Sequence, residues 1–257
     1  MAEFCVDELA RQVMYRIANA PVRAWPFPHV AVEDVFPADF YAALLDALPP
    51  VETYHTISDT GRVAEATADA YRQRYTIDMV RPEPERFPEA HRPFWGSFLD
   101  WLTGERFAMF GLEQFGALVN ARFGPRLKDA RFFPEFQLVR DFTNYALGPH
   151  TDRVEKVVVF LFYLARPGAD EGLGTSLYMP RDDGFRCEGG LHHPREQFFR
   201  VATMPYRPNT LVGFFKTARS FHGVEPVTAP GASRDLIQLS FCHRLPGDPG
   251  FAPVPRD

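Results

Sequence analysis

Two histidines and one aspartate are the side chains of this 257-residue chain that are best suited to chemistry. His150 and Asp152 are separated by one residue, and alternate residues of an extended segment point the same way, so both can reach one metal ion. Gly148-Pro149 can turn the end of a strand into position, and His222, in Ser-Phe-His-Gly-Val, can supply a third ligand from a distant strand. Two imidazoles and one carboxylate form the facial ligand set of non-haem Fe(II) centres, which leaves part of the metal open.

An arginine strengthens this interpretation, because a His-x-Asp pair alone also fits a surface histidine beside a solvated aspartate. Arg234 follows His222 by twelve positions and opens the apolar segment Arg-Asp-Leu-Ile-Gln-Leu-Ser-Phe. At the start of a strand, its side chain points either to solvent or into a barrel. Inside a barrel, its planar guanidinium would pair with a carboxylate through two hydrogen bonds.

The composition favours a folded protein rich in strands. The chain has 24 Pro, which are excluded from helix interiors and central strands, and 25 Phe, which are too many for a disordered chain. A net charge of −5 argues against a dedicated nucleic-acid binder, since such proteins usually carry a basic face. The three Cys have irregular spacings that predict neither a disulfide framework nor a zinc site.

The sequence also predicts where the protein resides. Glu3, Asp7 and Glu8 fall where a signal peptide needs basic and apolar residues. The longest apolar run, 157–165, is far shorter than the roughly 20 residues of a membrane-spanning helix. We therefore expect a soluble, cytoplasmic protein, with no membrane and no nucleic acid among its partners.

Hydrophobic periodicity predicts helices in the first half of the chain and strands in the second. A polar loop is predicted over 52–70. The predicted helices cover 4–18, 37–48, 91–103 and 107–122, with strands at 26–32 and 72–80. Beyond residue 130, Gly and Pro turns separate seven predicted strands: 132–140, 156–164, 174–179, 197–205, 210–215, 221–227 and 234–243. We expect a single domain over 1–257, of class α+β and mainly β. Its parts are a helix-rich portion at 1–125, a β core at 126–245 and a Pro/Gly-rich tail at 246–257.

The order of these features resembles the Fe(II)/2-oxoglutarate-dependent dioxygenases, in particular the branch that contains prolyl hydroxylases. His150-x-Asp152, a Tyr-Leu strand, Gly-Thr-Ser-Leu-Tyr at 174–178, His222 and Arg234 follow one another over about residues 130–243. The resemblance implies a double-stranded β-helix, a cupin-like jelly roll with N-terminal supporting helices. It also implies Fe(II), 2-oxoglutarate and O₂, with oxidation of an unactivated C–H bond coupled to release of succinate and CO₂. Much of the Phe excess falls in the strands that would then surround the iron.

The resemblance also implies roles for individual residues. His150, Asp152 and His222 would be the iron ligands, while Arg234 and Tyr163 would bind the distal carboxylate of 2-oxoglutarate. Lys156 would line the cavity or, alternatively, be a solvated lysine at the start of a strand. The spacing from His222 to Arg234 exceeds the family's usual one, which implies a longer turn through 226–233. The presence of Asp152, where the halogenating branch has a small residue, favours hydroxylation.

The substrate side is less defined by the sequence. Gln137, Arg140 and Asn144 precede His150 and are candidate substrate contacts, although each is also a plausible structural hydrogen-bonding group. His192 and His193 are adjacent, and neighbouring residues of a strand face opposite ways, which argues against a second metal pair. Three further residues, Tyr54, His55 and Tyr75, fit a lid, a substrate wall or core packing. The expected substrate is a small molecule or an amino-acid residue.

Two other functions remain open at this point. One is a catalytically inactive cupin-like protein that binds a ligand such as a sugar or a peptide. The intact set of His150, Asp152, His222 and Arg234 argues against it, because a binding protein does not require all four. The other is a metalloenzyme of the same fold that does not use 2-oxoglutarate, in which Arg234 would bind another acid.

Overall fold

Eleven strands in the described part of the chain form two antiparallel sheets. The computed structural model describes residues 4–60, 71–79, 87–190 and 192–249. The strands are β1 His29–Val32, β2 His55–Thr56, β3 Arg74–Asp78, β4 Arg131–Phe142, β5 Leu147–His150, β6 Lys156–Leu164, β7 Thr175–Pro180, β8 Phe198–Met204, β9 Pro208–Phe215, β10 His222–Val224 and β11 Ser233–Arg244. The larger sheet has the order β1-β9-β6-β11-β4-β3-β2 and the smaller one the order β5-β10-β7-β8.

The pairing of the last eight strands defines the architecture. Strand β4 pairs with β11, β5 with β10, β6 with β9 and β7 with β8, so each later strand returns alongside an earlier one. This nested order describes a long two-stranded ribbon wound into two facing sheets, which is the topology of a jelly roll. The predicted double-stranded β-helix is confirmed.

The predicted strands of the second half agree with the structure to within a few residues at their ends, with one addition. Strand β5 was not predicted, because Gly148 and Pro149 both disfavour strands. Among the described strands it lies at the edge of the smaller sheet beside β10, and an edge position tolerates a proline that cannot donate a backbone hydrogen bond.

In the part of the chain that the structure describes, five helices cover the outer side of the larger sheet. They are α1 Val6–Ala18, α2 Ala38–Asp46, α3 Arg92–Leu102, α4 Glu105–Glu113 and α5 Gly116–Phe123. The single helix predicted over 107–122 is wrong, because the chain breaks at Phe115, whose backbone is not helical (φ −116°, ψ 28°). The side chain of Phe115 is buried, with its ring 6.1 Å from that of Phe215. No helix in the described ranges has both the length and the apolar character needed to cross a membrane.

The first half of the chain contributes strands as well as helices. The predicted strands at 26–32 and 72–80 correspond to β1 and β3, which extend the larger sheet on its two sides. The short strand β2 lies inside the segment predicted as a loop, and residues 61–70 of that loop fall outside the described part. Of the predicted tail, residues 250–257 also fall outside it.

The two faces of the larger sheet have different partners. Its outer face packs phenylalanines such as Phe160, Phe162 and Phe241 against Phe107 of α4 and against Phe36, which precedes α2. The inner face packs aliphatic and tyrosine side chains against the smaller sheet. Much of the Phe excess does fall in these strands, but most of those side chains face the helices, while Phe214 faces the cavity.

Two glycines test the packing of helices on the sheet. A Cβ atom at Gly111 in α4 would lie 2.2 Å from Cε2 of the buried Phe241, whereas a Cβ at Gly96 in α3 would meet nothing within 4 Å. We expect Gly111→Ala to lower the free energy of unfolding by about 1–3 kcal/mol through overpacking. Gly96→Ala should raise it by about 0.5–1 kcal/mol, because alanine favours the helix. Urea denaturation measures both, and equal effects would contradict the described contact.

Candidate metal centre

Backbone pairing brings the two histidines together. His150 ends β5 and His222 begins β10, and the two residues are direct cross-strand partners with ring centroids 4.4 Å apart. The glycine after His222 makes this approach possible, because a Cβ at Gly223 would lie 2.4 Å from the carbonyl oxygen of Leu147. The motif His-Gly-Val therefore sets the spacing between the two imidazoles.

Both imidazoles are held in the form that binds a metal. Nδ1 of His150 donates to the carbonyl oxygen of Gly148 (3.0 Å) and Nδ1 of His222 donates to that of Ser220 (2.9 Å). A carbonyl oxygen only accepts, so Nδ1 carries the proton and Nε2 keeps its lone pair. Burial lowers the pKa of His150 well below its usual value and also lowers that of His222. Both rings are therefore neutral at physiological pH, as metal binding requires.

Asp152 has one oxygen held and one free. Its Oδ1 accepts a hydrogen bond from Nζ of Lys156 at 2.6 Å. Its Oδ2 is buried without a hydrogen-bond partner among the described residues, and lies 3.6 Å from Nε2 of His222. Burial opposes the charge of this carboxylate, but Lys156 and the two neighbouring histidines together outweigh burial and lower the pKa of Asp152 below the usual value. The carboxylate is thus ionised, with Oδ2 available as a ligand.

These three residues fit a divalent cation. Their ligand atoms lie within 4.8 Å of one another and all three residues are buried. Two nitrogen lone pairs and a carboxylate oxygen that face each other away from water are unfavourable unless a cation lies between them. Imidazole and carboxylate in a 2:1 ratio are the donors of non-haem iron centres, and zinc accepts the same atoms.

Contacts on two sides hold the turn that carries Asp152. A Cβ at Gly189, whose φ is +134°, would lie 2.1 Å from the carbonyl oxygen of Asp152, so only glycine lets the β7–β8 loop pack this closely. Thr151 is fixed to the same loop, since its hydroxyl donates to the carbonyl of Cys187 at 2.8 Å. From the other side, Arg122 of α5 donates to the carbonyl of Lys156 at 2.8 Å. The carboxylate ligand therefore sits on a clamped turn.

A cavity of about 380 Å³ adjoins the three candidate ligands. Its volume is in the range of small-molecule sites. Its walls are mixed, with basic, amide and hydroxyl groups next to aliphatic side chains. Besides the three ligands, the lining includes Tyr71, Arg74, Gln137, Lys156, Val159, Leu161, Thr175, Phe214, Arg234, Leu236 and Gln238.

Four residues singled out from the sequence lie in or beside this cavity. Arg234 points inward, and its Nη1 donates to Oδ2 of Asp141 at 2.8 Å. Gln137 and Lys156 are also lining residues, and Lys156 is buried against Asp152 instead of being solvated. Tyr163 is fully buried beneath the lining, where its hydroxyl accepts a hydrogen bond from the backbone N–H of Thr175 (2.8 Å) and its ring centroid is 5.6 Å from Cζ of Arg234.

Two proposed substrate contacts lie elsewhere. Arg140 is three residues from Gln137, so it occupies the opposite face of β4, where it pairs with Asp235 at 2.6 Å and covers the ring of Tyr54. Asn144 lies in the turn after β4 with φ +73°, and its backbone N–H donates to the carbonyl of Val227. Neither is among the residues that line the cavity.

The other aromatic candidates are also placed away from the cavity. Tyr54 is buried under Arg140, and Tyr75 is the cross-strand partner of Arg140, so both belong to the outer face. His55 is exposed. Tyr54 and Tyr75 are therefore packing residues of the sheet, in agreement with the core-packing alternative.

Sequence reasoning missed Tyr71 and Arg74 near the site, and it considered His192 only as part of a second metal pair. His192 lies outside the strands, with its ring centroid 5.0 Å from that of His150 and its Nε2 bonded to the hydroxyl of Tyr71 at 2.9 Å. It does not belong to the group of potential ligands. Arg74 lines the cavity because β3 pairs with β4. No local sequence pattern predicts this pairing.

Comparison with known proteins gives structural likenesses only. No family model and no curated protein matches the chain. Among solved structures, it is similar to the 2-oxoglutarate-dependent epimerase SnoN of nogalamycin biosynthesis, with 15% identity, TM-score 0.49 and coverage of 97% of this chain and 93% of SnoN. It is also similar to a prolyl-4-hydroxylase from Pseudomonas putida, with 17% identity, TM-score 0.45 and coverage of 92% of this chain and 99% of that one.

A prolyl 4-hydroxylase from Phytophthora capsici gives 13% identity and a TM-score of 0.45, with coverage of 94% of this chain and 66% of that one. All three TM-scores are below 0.5. The residues of the site, and not these likenesses, therefore indicate the function.

The ligand set can be tested by metal binding. Measured under anaerobic conditions by competition with a chromophoric chelator, the protein should bind one Fe(II) per chain. His222→Ala should lower the affinity by more than the roughly 100-fold that loss of an outer contact costs at most. His192→Ala, which removes a ring beside the ligands, should cost no more than about tenfold. Equal losses in the two variants would reject the assigned ligands.

Proposed function

We propose that this chain is an Fe(II)- and 2-oxoglutarate-dependent oxygenase that hydroxylates an unactivated C–H bond. One observation carries the proposal: a buried His150–Asp152–His222 group, with an unpartnered carboxylate oxygen, shares its cavity with the inward-pointing Arg234. A metal held by this group would bind the 2-oxo acid end of 2-oxoglutarate. The guanidinium of Arg234 in the same cavity would bind the second carboxylate.

Each residue of the site has a task in this reaction. His150, Asp152 and His222 would hold the iron, and Lys156 keeps Asp152 to one ligating oxygen by binding the other. Bound iron, together with 2-oxoglutarate and O₂, would supply the oxidising chemistry. Arg234 would bind the distal carboxylate, and Thr175, whose Oγ1 lies 3.3 Å from Nη2 of Arg234, lies beside it. Aliphatic lining residues such as Leu161 and Leu236 exclude water.

The substrate would be a small molecule or an amino-acid residue, because the cavity must also hold the cosubstrate. Gln137 is the lining residue we assign to substrate recognition, since its Nε2 is buried without a hydrogen-bond partner in the described structure. The presence of Asp152 as a third ligand supports hydroxylation over halogenation. A cytoplasmic location is supported by the three free thiols, Cys5, Cys187 and Cys242.

The larger sheet supports the proposed domain division. Strands β1–β3 of the first half share the larger sheet with β4, β6, β9 and β11 of the second half. This supports a single domain over 1–257, with the helix-rich portion at 1–125 packed on the β core at 126–245.

A second candidate is a metalloenzyme of the same fold that does not use 2-oxoglutarate. It is favoured by the contact of Arg234 with Asp141, because an arginine that already has a carboxylate partner has less need of another. The inactive binding protein lacks a comparable observation in its favour.

Spectroscopy and binding distinguish these functions. Anaerobic Fe(II) plus 2-oxoglutarate should give a weak visible charge-transfer band, which His150→Ala should abolish. Arg234→Ala should retain iron and raise the Kd for 2-oxoglutarate by roughly 10- to 100-fold, the effect of losing a charge-assisted hydrogen bond. Arg140→Ala, which removes an arginine from the opposite face of the sheet, should leave this Kd unchanged.

The absence of a band with the wild-type protein would reject the oxygenase. An unchanged Kd in Arg234→Ala would reject the role of this arginine and favour the second candidate. The substrate class can be found by measuring succinate release over panels of amino acids, peptides, sugars and lipids.

A further inference from the structure

Arg74, Asp141 and Arg234 form a buried cluster beside the cavity. Nε and Nη2 of Arg74 donate to Oδ1 and Oδ2 of Asp141 at 2.7 and 2.8 Å, and Nη1 of Arg234 donates to Oδ2 at 2.8 Å. Arg74 is 7% exposed, Arg234 1% and Asp141 0%. One carboxylate therefore stands between two guanidinium groups in a place that water scarcely reaches.

The sheet sets this arrangement. Asp141 on β4 is the direct cross-strand partner of Arg74 on β3 and of Arg234 on β11, so the three residues share one row across three strands. Their side chains consequently project from the same, inner face of the sheet. Both arginines line the cavity.

The charged side chains that line the cavity, paired with their nearest partners, have one positive charge in excess. Among the described residues, Lys156 pairs with Asp152 at 2.6 Å, and Arg153 pairs with Glu135 at 2.7 Å. The cluster of Arg74, Asp141 and Arg234 has two positive groups and one negative group. Without Arg74, Asp141 and Arg234 would form a neutral pair, and the cavity would lose its surplus positive charge.

The hydrogen bonds show which arginine is available. Arg74 uses two donors on Asp141, and its guanidinium lies 4.6 Å from the ring centroid of Tyr145, so it is held on both sides. Arg234 gives Asp141 only Nη1, contacts Thr175 at 3.3 Å through Nη2, and has no hydrogen-bond partner for Nε in the described structure. Arg234 therefore retains donors for a ligand.

We propose that Arg74 is a positioning residue that engages Asp141 and thereby frees Arg234 to bind a carboxylate, which makes the cavity selective for a dicarboxylate 2-oxo acid over a monocarboxylate one. This inference rests on the proposed function. It also answers the observation that favoured the second candidate, since Asp141 is shared between two arginines and neutralises only one of them.

The test compares two ligands that share the 2-oxo acid end. Calorimetric titration of the Mn(II)-loaded protein with 2-oxoglutarate and with pyruvate, which lacks the distal carboxylate, gives a ratio of affinities. In Arg74→Met, Asp141 is left to pair fully with Arg234. The Kd for 2-oxoglutarate should rise roughly 10- to 100-fold, while the Kd for pyruvate stays the same.

A double variant separates this role from a structural one. Arg74→Met combined with Asp141→Asn leaves Arg234 without a competing carboxylate, so 2-oxoglutarate affinity should return to within about threefold of the wild type. Mere damage to the fold would leave the double variant as weak as the single one. Arg140→Met is the matched control, because it breaks an Arg–Asp pair on the next row and the opposite face of the same strands.

Each remaining outcome decides the inference. If 2-oxoglutarate binds the wild type and Arg74→Met equally well, the inference is overturned while the proposed function stands. If the wild type binds no 2-oxoglutarate, both are overturned. If Arg74→Met does not fold, as judged by circular dichroism, the double variant alone decides: weak binding of 2-oxoglutarate by the folded double variant overturns the inference.

Discussion

The site depends on the direct pairing of His150 with His222 across strands β5 and β10. This pair joins the second and seventh strands of the jelly roll, so two residues that are distant in sequence become neighbours at 4.4 Å. Because each Nδ1 donates to a carbonyl of its own chain segment, both rings keep Nε2 for a metal, and the ligand atoms of the three residues lie within 4.8 Å of one another. The aspartate then needs only to lie two residues beyond the strand to complete the group.

Charge pairing determines the rest of the cavity. A buried carboxylate is costly unless a cation compensates it, and Asp152 and Asp141 each have such a partner. The two cases differ in their outcome. Lys156 balances Asp152 and leaves one oxygen for a metal, whereas Arg74 balances Asp141 and leaves Arg234 for a ligand. Compensation of a buried carboxylate thus leaves a group that binds a cation at Asp152 and a group that binds an anion at Arg234.

The sequence predicted those strands and site residues that depend on a local pattern. Alternation and Gly/Pro turns placed the main strands, and the types and spacing of His150, Asp152 and His222 indicated a metal site that the fold brings together. The alternation rule, applied strictly, would also have separated Gln137 from Arg140 and pointed to Asp141. The role of Arg74 and the position of His192 beside His150 could not be predicted, because both depend on which distant strand or loop lies beside them. The break at Phe115 depends likewise on tertiary packing, since its ring is buried against Phe215.

Two cationic positions in one cavity would restrict the shape of its ligand. A metal held by His150, Asp152 and His222 would attract one anionic end and the freed Arg234 the other, and aliphatic side chains such as Leu161 and Leu236 lie among the lining residues. A ligand with two carboxylates joined by methylene carbons matches this combination, because its ends are charged and its middle is apolar. A sugar or a neutral peptide would leave a buried guanidinium without a counter-charge, which is unfavourable. The arrangement of charges therefore favours a 2-oxo dicarboxylate as cosubstrate, and assigns the selection to residues of β3, β4 and β11 as much as to the metal ligands.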